Sequence, residues 1–325
     1  MPEIGRKRAF GLGIESTPGT SVSAAAWFPV EKGSLKHVIE KVKDTNGMQL
    51  IDEVSDSHIT MESSEFQMEG IARSQSLGYL LKMALGTAGA ATLVETGVYS
   101  HAFTRLNTNA HPSATVYADD GVADEKATYH MLDTLDLDMK VGEFVNFSAT
   151  TKGTAIVSGS STPSFLTGTS DEQFLASKAT IKVATDIAGL SGASAITLEG
   201  IKLSIKKNVV LRYKLGQTAP QLVANQQFTV SGDFEALHAD NTYRDIFTGN
   251  TKKAIQIQID GKTLIGATEY NSITIQIAKV NLSSWDRSDG NNDLVNETVG
   301  FDAEYSFSDT QTMNISLQNT KTSAY

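Results

Sequence analysis

Cysteine is absent from this chain of 325 residues, which excludes disulfides, thiolate nucleophiles and cysteine-bound metals together. Aromatic residues make up only 7%, with two tryptophans, which disfavours a groove that stacks sugars. Positive charge is in short supply: 27 Lys and Arg face 37 Asp and Glu, a formal net charge of −10. That argues against a nucleic-acid-binding module, whose affinity comes mainly from basic side chains on phosphates. It does not exclude contact in which DNA slides past without sticking. Long apolar runs are missing too. The most apolar stretch, 78–94, carries Lys82 and several glycines, and a membrane span needs about 20 apolar residues. The segment after Met1 has no such run and does not read as a signal peptide. The expectation is a soluble protein made inside the cell, without membrane insertion.

What the chain does have is apolar content of 40%, enough for a core, and alternation. Leu135, Leu137, Met139 and Val141 alternate with Asp136, Asp138 and Lys140. Ile201, Leu203 and Ile205 alternate with Lys202, Ser204 and Lys206, and Ile255, Ile257 and Ile259 with Gln256 and Gln258. Ile273, Ile275 and Ile277 repeat the pattern, as do Phe301, Ala303, Tyr305 and Phe307. Successive strand side chains point to opposite faces, so each run predicts a strand with one buried and one wet face, in antiparallel sheets. Short helices are predicted at 74–85, with serines as caps and Gly86 as stop, and at 241–247. The Gly/Ser/Thr-rich stretch 150–170 reads as a linker or long loop, and 286–292 as a polar loop.

The chain also resembles itself. Lys36, Ile39 and Lys41 can be laid on Lys202, Ile205 and Lys207, Phe66 on Phe228, and Tyr79 on Tyr243. The recurring order is strand, loop, strand, short helix. This predicts a mainly β fold of two tandem β-sandwich or barrel domains, each with a flanking helix. The first spans 1–160 and the second 195–325, with 161–194 as linker and lead-in strand.

No catalytic constellation emerges. Gly11-Leu12-Gly13 lacks the third glycine of a dinucleotide fingerprint. Gly261-Lys262-Thr263 lacks the first glycine of a phosphate loop and reads as a hairpin turn between Ile259 and Leu264. The six histidines show no His-x-x-x-His spacing for zinc. Arg287 and Ser288 break the alternation a calcium loop would need between Asp286 and Gly290. A glycosidase would need two acids at a set separation, which spacing along a sequence does not supply. No cofactor is expected.

The segment Glu15-Ser16-Thr17-Pro18-Gly19-Thr20 followed by Trp27-Phe28-Pro29-Val30 resembles the N-terminal part of major tail tube proteins of long-tailed phages and prophages. So do 66–86, ending Ala84-Leu85-Gly86, and the series 109–116, 131–135 and 142–145. The likeness is good over 8–160 and looser beyond, where the chain is similar to tubes whose subunits carry two tube domains. It implies a homo-oligomeric ring, either a pseudo-hexameric trimer or a hexamer, stacked into a tube around a lumen for DNA in the virion tail. A tape measure protein and a tail terminator would be partners, and assembly would start from protein made in the host cytoplasm. By position, 44–57 is the stacking-loop candidate, with Asp44, Asn46, Met48, Leu50, Asp52, Glu53 and Asp56. Its counterpart is 210–224, with Leu211, Tyr213 and Gln217. Lumen-facing acids are sought among Asp133, Asp136, Asp138, Glu199 and Asp233. The alternative is a phage decoration or surface β module that binds a partner without polymerising.

Overall fold

The computed structural model describes residues 4–46, 49, 51–109, 111–288, 290 and 294–325. The first stretch of chain runs β1 (Ala9–Ile14), β2 (Ala26–Phe28), β3 (Lys32–Asp44), β4 (Asp56–Ile71), α1 (Leu77–Leu85), β5 (Thr92–Glu95) and β6 (Val98–Thr104). It continues with β7 (Ala114–Asp119), β8 (Asp124–Lys140), β9 (Asn146–Gly153) and β10 (Val157–Ser158). Then come β11 (Ala179–Ala184), α2 (Ile187–Leu190), β12 (Ala195–Ile196), β13 (Gly200–Lys206), β14 (Val210–Arg212), β15 (Leu222–Ala224) and β16 (Thr229–Leu237). The last are α3 (Thr242–Thr248), β17 (Lys253–Leu264), β18 (Tyr270–Arg287), β19 (Asn296–Ala303) and β20 (Met313–Asn319). The fold is mainly β, with its strands paired antiparallel.

The strand pairings recur. β1 pairs with β2 and β7, as β11 pairs with β12 and β17. β4 lies between β3 and β9, as β16 lies between β13 and β19. β8 pairs with β7, β10 and β9, as β18 pairs with β17, β20 and β19. The long strands even share an irregularity: the β8–β9 register shifts between Leu132 and Thr134, and that of β18–β19 between Leu282 and Ser284. A bulge bends its strand, and at these points each strand exchanges one set of neighbours for another. Among the described residues the extra hairpin β5–β6 has no counterpart in the second series; β6 pairs with β20 and so stitches the two series together.

Two pairs of equivalent hydrogen bonds outside the strand ladders fix the correspondence residue by residue. Glu31 N donates to Glu69 O at 2.8 Å and Glu199 N to Glu235 O at 2.8 Å. Ala72 N donates to Val145 O at 2.7 Å and His238 N to Val295 O at 2.9 Å. In this register Lys202 falls on Ser34 rather than on Lys36, and Phe66 on Gly232 rather than on Phe228 as letter matching suggests; Phe228 precedes β16.

One apolar cluster runs through both series. Phe10 of β1 packs on Phe66 of β4 at 5.8 Å between ring centres, and Phe28 of β2 on Phe147 of β9 at 6.3 Å. Fully burying such a ring contributes about 1.5–3 kcal/mol. α1 is almost wholly buried, while α3 has no buried residue. Gly86 ends α1 in the left-handed region (φ 95°), and Gly86 N donates to Lys82 O. Its start departs from expectation. No serine side chain caps it; Asp171, distant in sequence, accepts from Gln75 N at 2.8 Å and Ser76 N at 2.9 Å.

Three other expectations are corrected. Gly261 to Thr263 is strand, not turn: β17 continues through a register shift to Leu264. The alternation of Tyr305 and Phe307 is not strand, because β19 ends at Ala303 and Ser306 Oγ donates to Asp309 Oδ2 at 2.6 Å in a turn. The supposed linker from Thr150 begins inside β9, which runs to Gly153.

Candidate self-assembly interface

The feature that stands out is an eight-strand antiparallel array in the order β3-β4-β9-β8-β13-β16-β19-β18. Its middle junction, β8–β13, joins the first series to the second through seven residue pairs, Gly200↔Lys140 to Lys206↔Thr134. Both ends of the array are open. β3 pairs with β4 alone, and β18 beyond Val280 pairs with β19 on one side. Among the described residues no strand pairs with the other side of either. Unpaired edges are templates for another chain unless they are blocked.

One face of the array is apolar and packs into the core. Gly70, Phe147, Leu137, Leu203, Gly232, Phe301 and Leu282 follow one another across it in register. The opposite face is polar. One row across it reads Lys32, Glu69, Ser148, Asp136, Ser204, Ser231, Asp302 and Asn281. The neighbouring row reads Asn146, Asp138, Lys202, Asp233 and Gly300. Asp136, Asp138 and Asp233 thus lie together on one face, with Lys202 between two of them, and they line a shallow depression of about 600 Å³. Across these two rows five acids stand with two lysines, Lys32 on the edge strand and Lys202 between Asp138 and Asp233, so the face is predominantly acidic.

Asp133 and Glu199 are engaged otherwise. Asp133 sits at the β8 bulge, where it pairs with Lys152 Nζ at 2.7 Å and accepts from Val209 N at 2.7 Å. Glu199 lies just before β13 and accepts from Asn296 Nδ2 at 3.2 Å.

The β3–β4 ladder runs on past the array as a ribbon whose end pair is Asp44↔Asp56. Ile39, Val42 and Ile59 are exposed along it, and Ile51 and Val54 at its tip. A lone two-stranded hairpin is marginal in water, so such a ribbon gains from a partner. Asp44 closes the tip: Ser55 N donates to Asp44 O at 3.0 Å, and Asn46 N to Asp44 Oδ1 at 3.0 Å. The bond from Asn46 N holds the Asp44 carboxyl below the usual range. Asp52 and Glu53 are exposed at the tip and Asp56 at its return; Met48 and Leu50 lie outside the described residues.

In the second series the chain breaks at Asn208 (φ 49°) and re-forms as β14–β15. Leu211 is on β14, packed near Met131, Val209 and Val223, while Tyr213 and Gln217 are in the loop. The two hairpins touch: Glu62 N donates to Thr218 O at 2.9 Å. The sequence reading located both hairpins and three of the polar-face acids, but not the open edges at 34–38 and 281–287, whose signal lies in sheet order.

The described residues contain no cluster of three or more His, Cys, Asp or Glu able to hold a metal, and no helix long and apolar enough to cross a membrane. No curated protein matches the chain. A family model described as phage tail tube protein matches residues 5–308, nearly the whole length, and the chain belongs to that family of structural virion tail components.

Proposed function

We propose that copies of this chain join edge to edge into closed rings, and that rings stack into a tube whose lumen is lined by the polar face of the array. The observation that carries this reading is an array open at both ends, whose two halves repeat one pairing scheme. Each chain would supply two tube domains, about 1–160 and, since β11 takes the place of β1 in the second series, about 179–325. Three chains would then give six similar positions around the ring. Three arrays amount to about 24 strands; at about 4.8 Å spacing and about 40° tilt they close a barrel about 45–50 Å across its backbone, which admits a DNA duplex. The ribbon 44–57 and the hairpin 210–224 would reach the adjacent ring, because a head-to-tail contact that does not close makes a filament. A predominantly acidic lining of the lumen would offer passing phosphates no continuous positive track. A tape measure protein would fill the lumen before DNA, and a terminator would cover one end. The role is structural rather than enzymatic.

Negative-stain microscopy of the concentrated protein tests this directly. Tubes with threefold symmetry and a sixfold envelope are the expected result; a protein that stays monomeric at high concentration overturns it. Replacing 45–55 by Asn-Gly, a two-residue turn that can keep the Asp44↔Asp56 pair closed, should leave rings and abolish tubes. Unchanged tubes would remove the ribbon from the stacking contact.

A further inference from the structure

The internal junction β8–β13 offers a template for the junction between chains. By the shared bulge and the matched hydrogen bonds, β18 corresponds to β8 and β3 to β13. The side of β8 that holds β13 is therefore the side of β18 left open beyond Val280. Likewise the side of β13 that meets β8 is the open side of β3. Transferring the internal register, Ser204↔Asp136 becomes Lys36↔Asp286, Ile205↔Leu135 becomes His37↔Trp285, and Lys206↔Thr134 becomes Val38↔Ser284.

We infer that a second copy of this chain docks its β3 edge antiparallel on the 284–287 edge of β18, with Lys36 directly opposite Asp286. The inference rests on the edge-to-edge reading above and adds its register. Charge supports it independently: Lys36 and Asp286 are both exposed in the single chain, and the transferred register brings opposite charges face to face. A register moved by two residues places Lys36 against Ser284 or Ser288 and loses that match. The internal junction also supplies the pair type. Lys207 N donates to Asp133 O at 2.8 Å and Val141 N to Glu199 O at 3.1 Å, so odd-numbered residues of this ladder form the hydrogen-bonded pairs. Ser204↔Asp136, and with it Lys36↔Asp286, is a non-hydrogen-bonded pair. There Cα atoms approach to about 4.5 Å, within the span a disulfide bridges.

The chain's lack of cysteine makes the test clean. Lys36→Cys and Asp286→Cys chains, mixed and oxidised mildly, should give a covalent dimer on a non-reducing gel, whereas either variant alone should not. Lys36→Cys mixed with Ser284→Cys or Ser288→Cys should cross-link at least about tenfold less, as a register displaced by two residues takes the Cα pair out of bridging range. Microscopy of the same samples separates the two readings. Tubes that cross-link only in a displaced pair, or in none, overturn the register and leave the tube intact. A wild-type protein that forms neither rings nor tubes overturns both. Charge exchange gives a second measurement independent of cysteine. Lys36→Asp and Asp286→Lys should each raise the critical concentration about fivefold, and the double variant should restore it, since like charges opposite one another destabilise the pair by an amount that opposite charges recover. No restoration would refute the pairing.

Discussion

Lys207 allows a prediction in numbers. Its side chain is fully buried, and Nζ donates at 2.7 Å to the carbonyl of Met83 in the last turn of α1. Helix ends leave carbonyls unpaired and carry partial negative charge, so an ammonium suits the place electrostatically. Burial nevertheless dominates and draws the amine from 10.5 to about 7, against an opposing pull from Asp133. Below pH 7 folded and unfolded chains both carry the proton, and the cost of burying it is fully present. Between about 7 and about 10.5 the unfolded chain holds a proton that the folded chain lacks, so stability rises with pH by up to about 1.4 kcal/mol per pH unit. From pH 7 to pH 9 the gain is about 2 kcal/mol, allowing for half-titration at the start. Lys207→Met keeps the length and apolar stem, loses the bond to Met83 O and has no proton to exchange. Urea unfolding of unassembled wild-type and variant protein at pH 7, 8 and 9 should show the wild type gaining about 2 kcal/mol on the variant across that range. Parallel pH profiles would refute the reasoning, because they would mean that the amine stays charged where it lies.

Two further outcomes are expected of single substitutions. Asp171→Ala removes the acceptor for Gln75 N and Ser76 N at the start of α1 and should cost about 1–2 kcal/mol in urea unfolding; an unchanged midpoint would mean the helix finds another cap. Gly232→Ala would press a methyl group against Lys202 O and the Phe301 ring and should cost about 1–3 kcal/mol, whereas Gly200→Ala, which meets Met139 O at 3.4 Å, should be near neutral. Equal effects at the two glycines would refute the close approach.

The alternating runs were legible because a sheet with one wet face writes its period into the sequence. Leu135 to Met139, Ile201 to Ile205 and Ile273 to Ile277 all lie in strands with the expected faces buried. Where alternation misled, local chemistry explains it. Tyr305 and Phe307 continue the period after the chain has left the sheet, and their rings pack on each other at 5.2 Å. Gly261 looks like a turn residue, yet it stands where a side chain would strike Glu172 and Asn271. A glycine that admits a close neighbour and one that makes a turn look alike in sequence. The cap from Asp171 was hidden by distance along the chain, and the repeat register by divergence: Phe66 and Gly232 occupy equivalent places with no letter in common. Among the site residues, position along the hairpins was readable, whereas membership of an edge depends on which strand comes last.

The hairpin β5–β6 has a mechanical consequence. Through β6 and β20 it gives the two halves of one chain a second seam beside β8–β13. The internal seam is also the more apolar, with Leu203 against Leu137 and Ile205 against Leu135, where the outer edges carry Leu35, His37, Trp285 and Arg287. A wall built from such units alternates stiff and compliant joints. Under bending load it would open between polypeptides and leave each one whole.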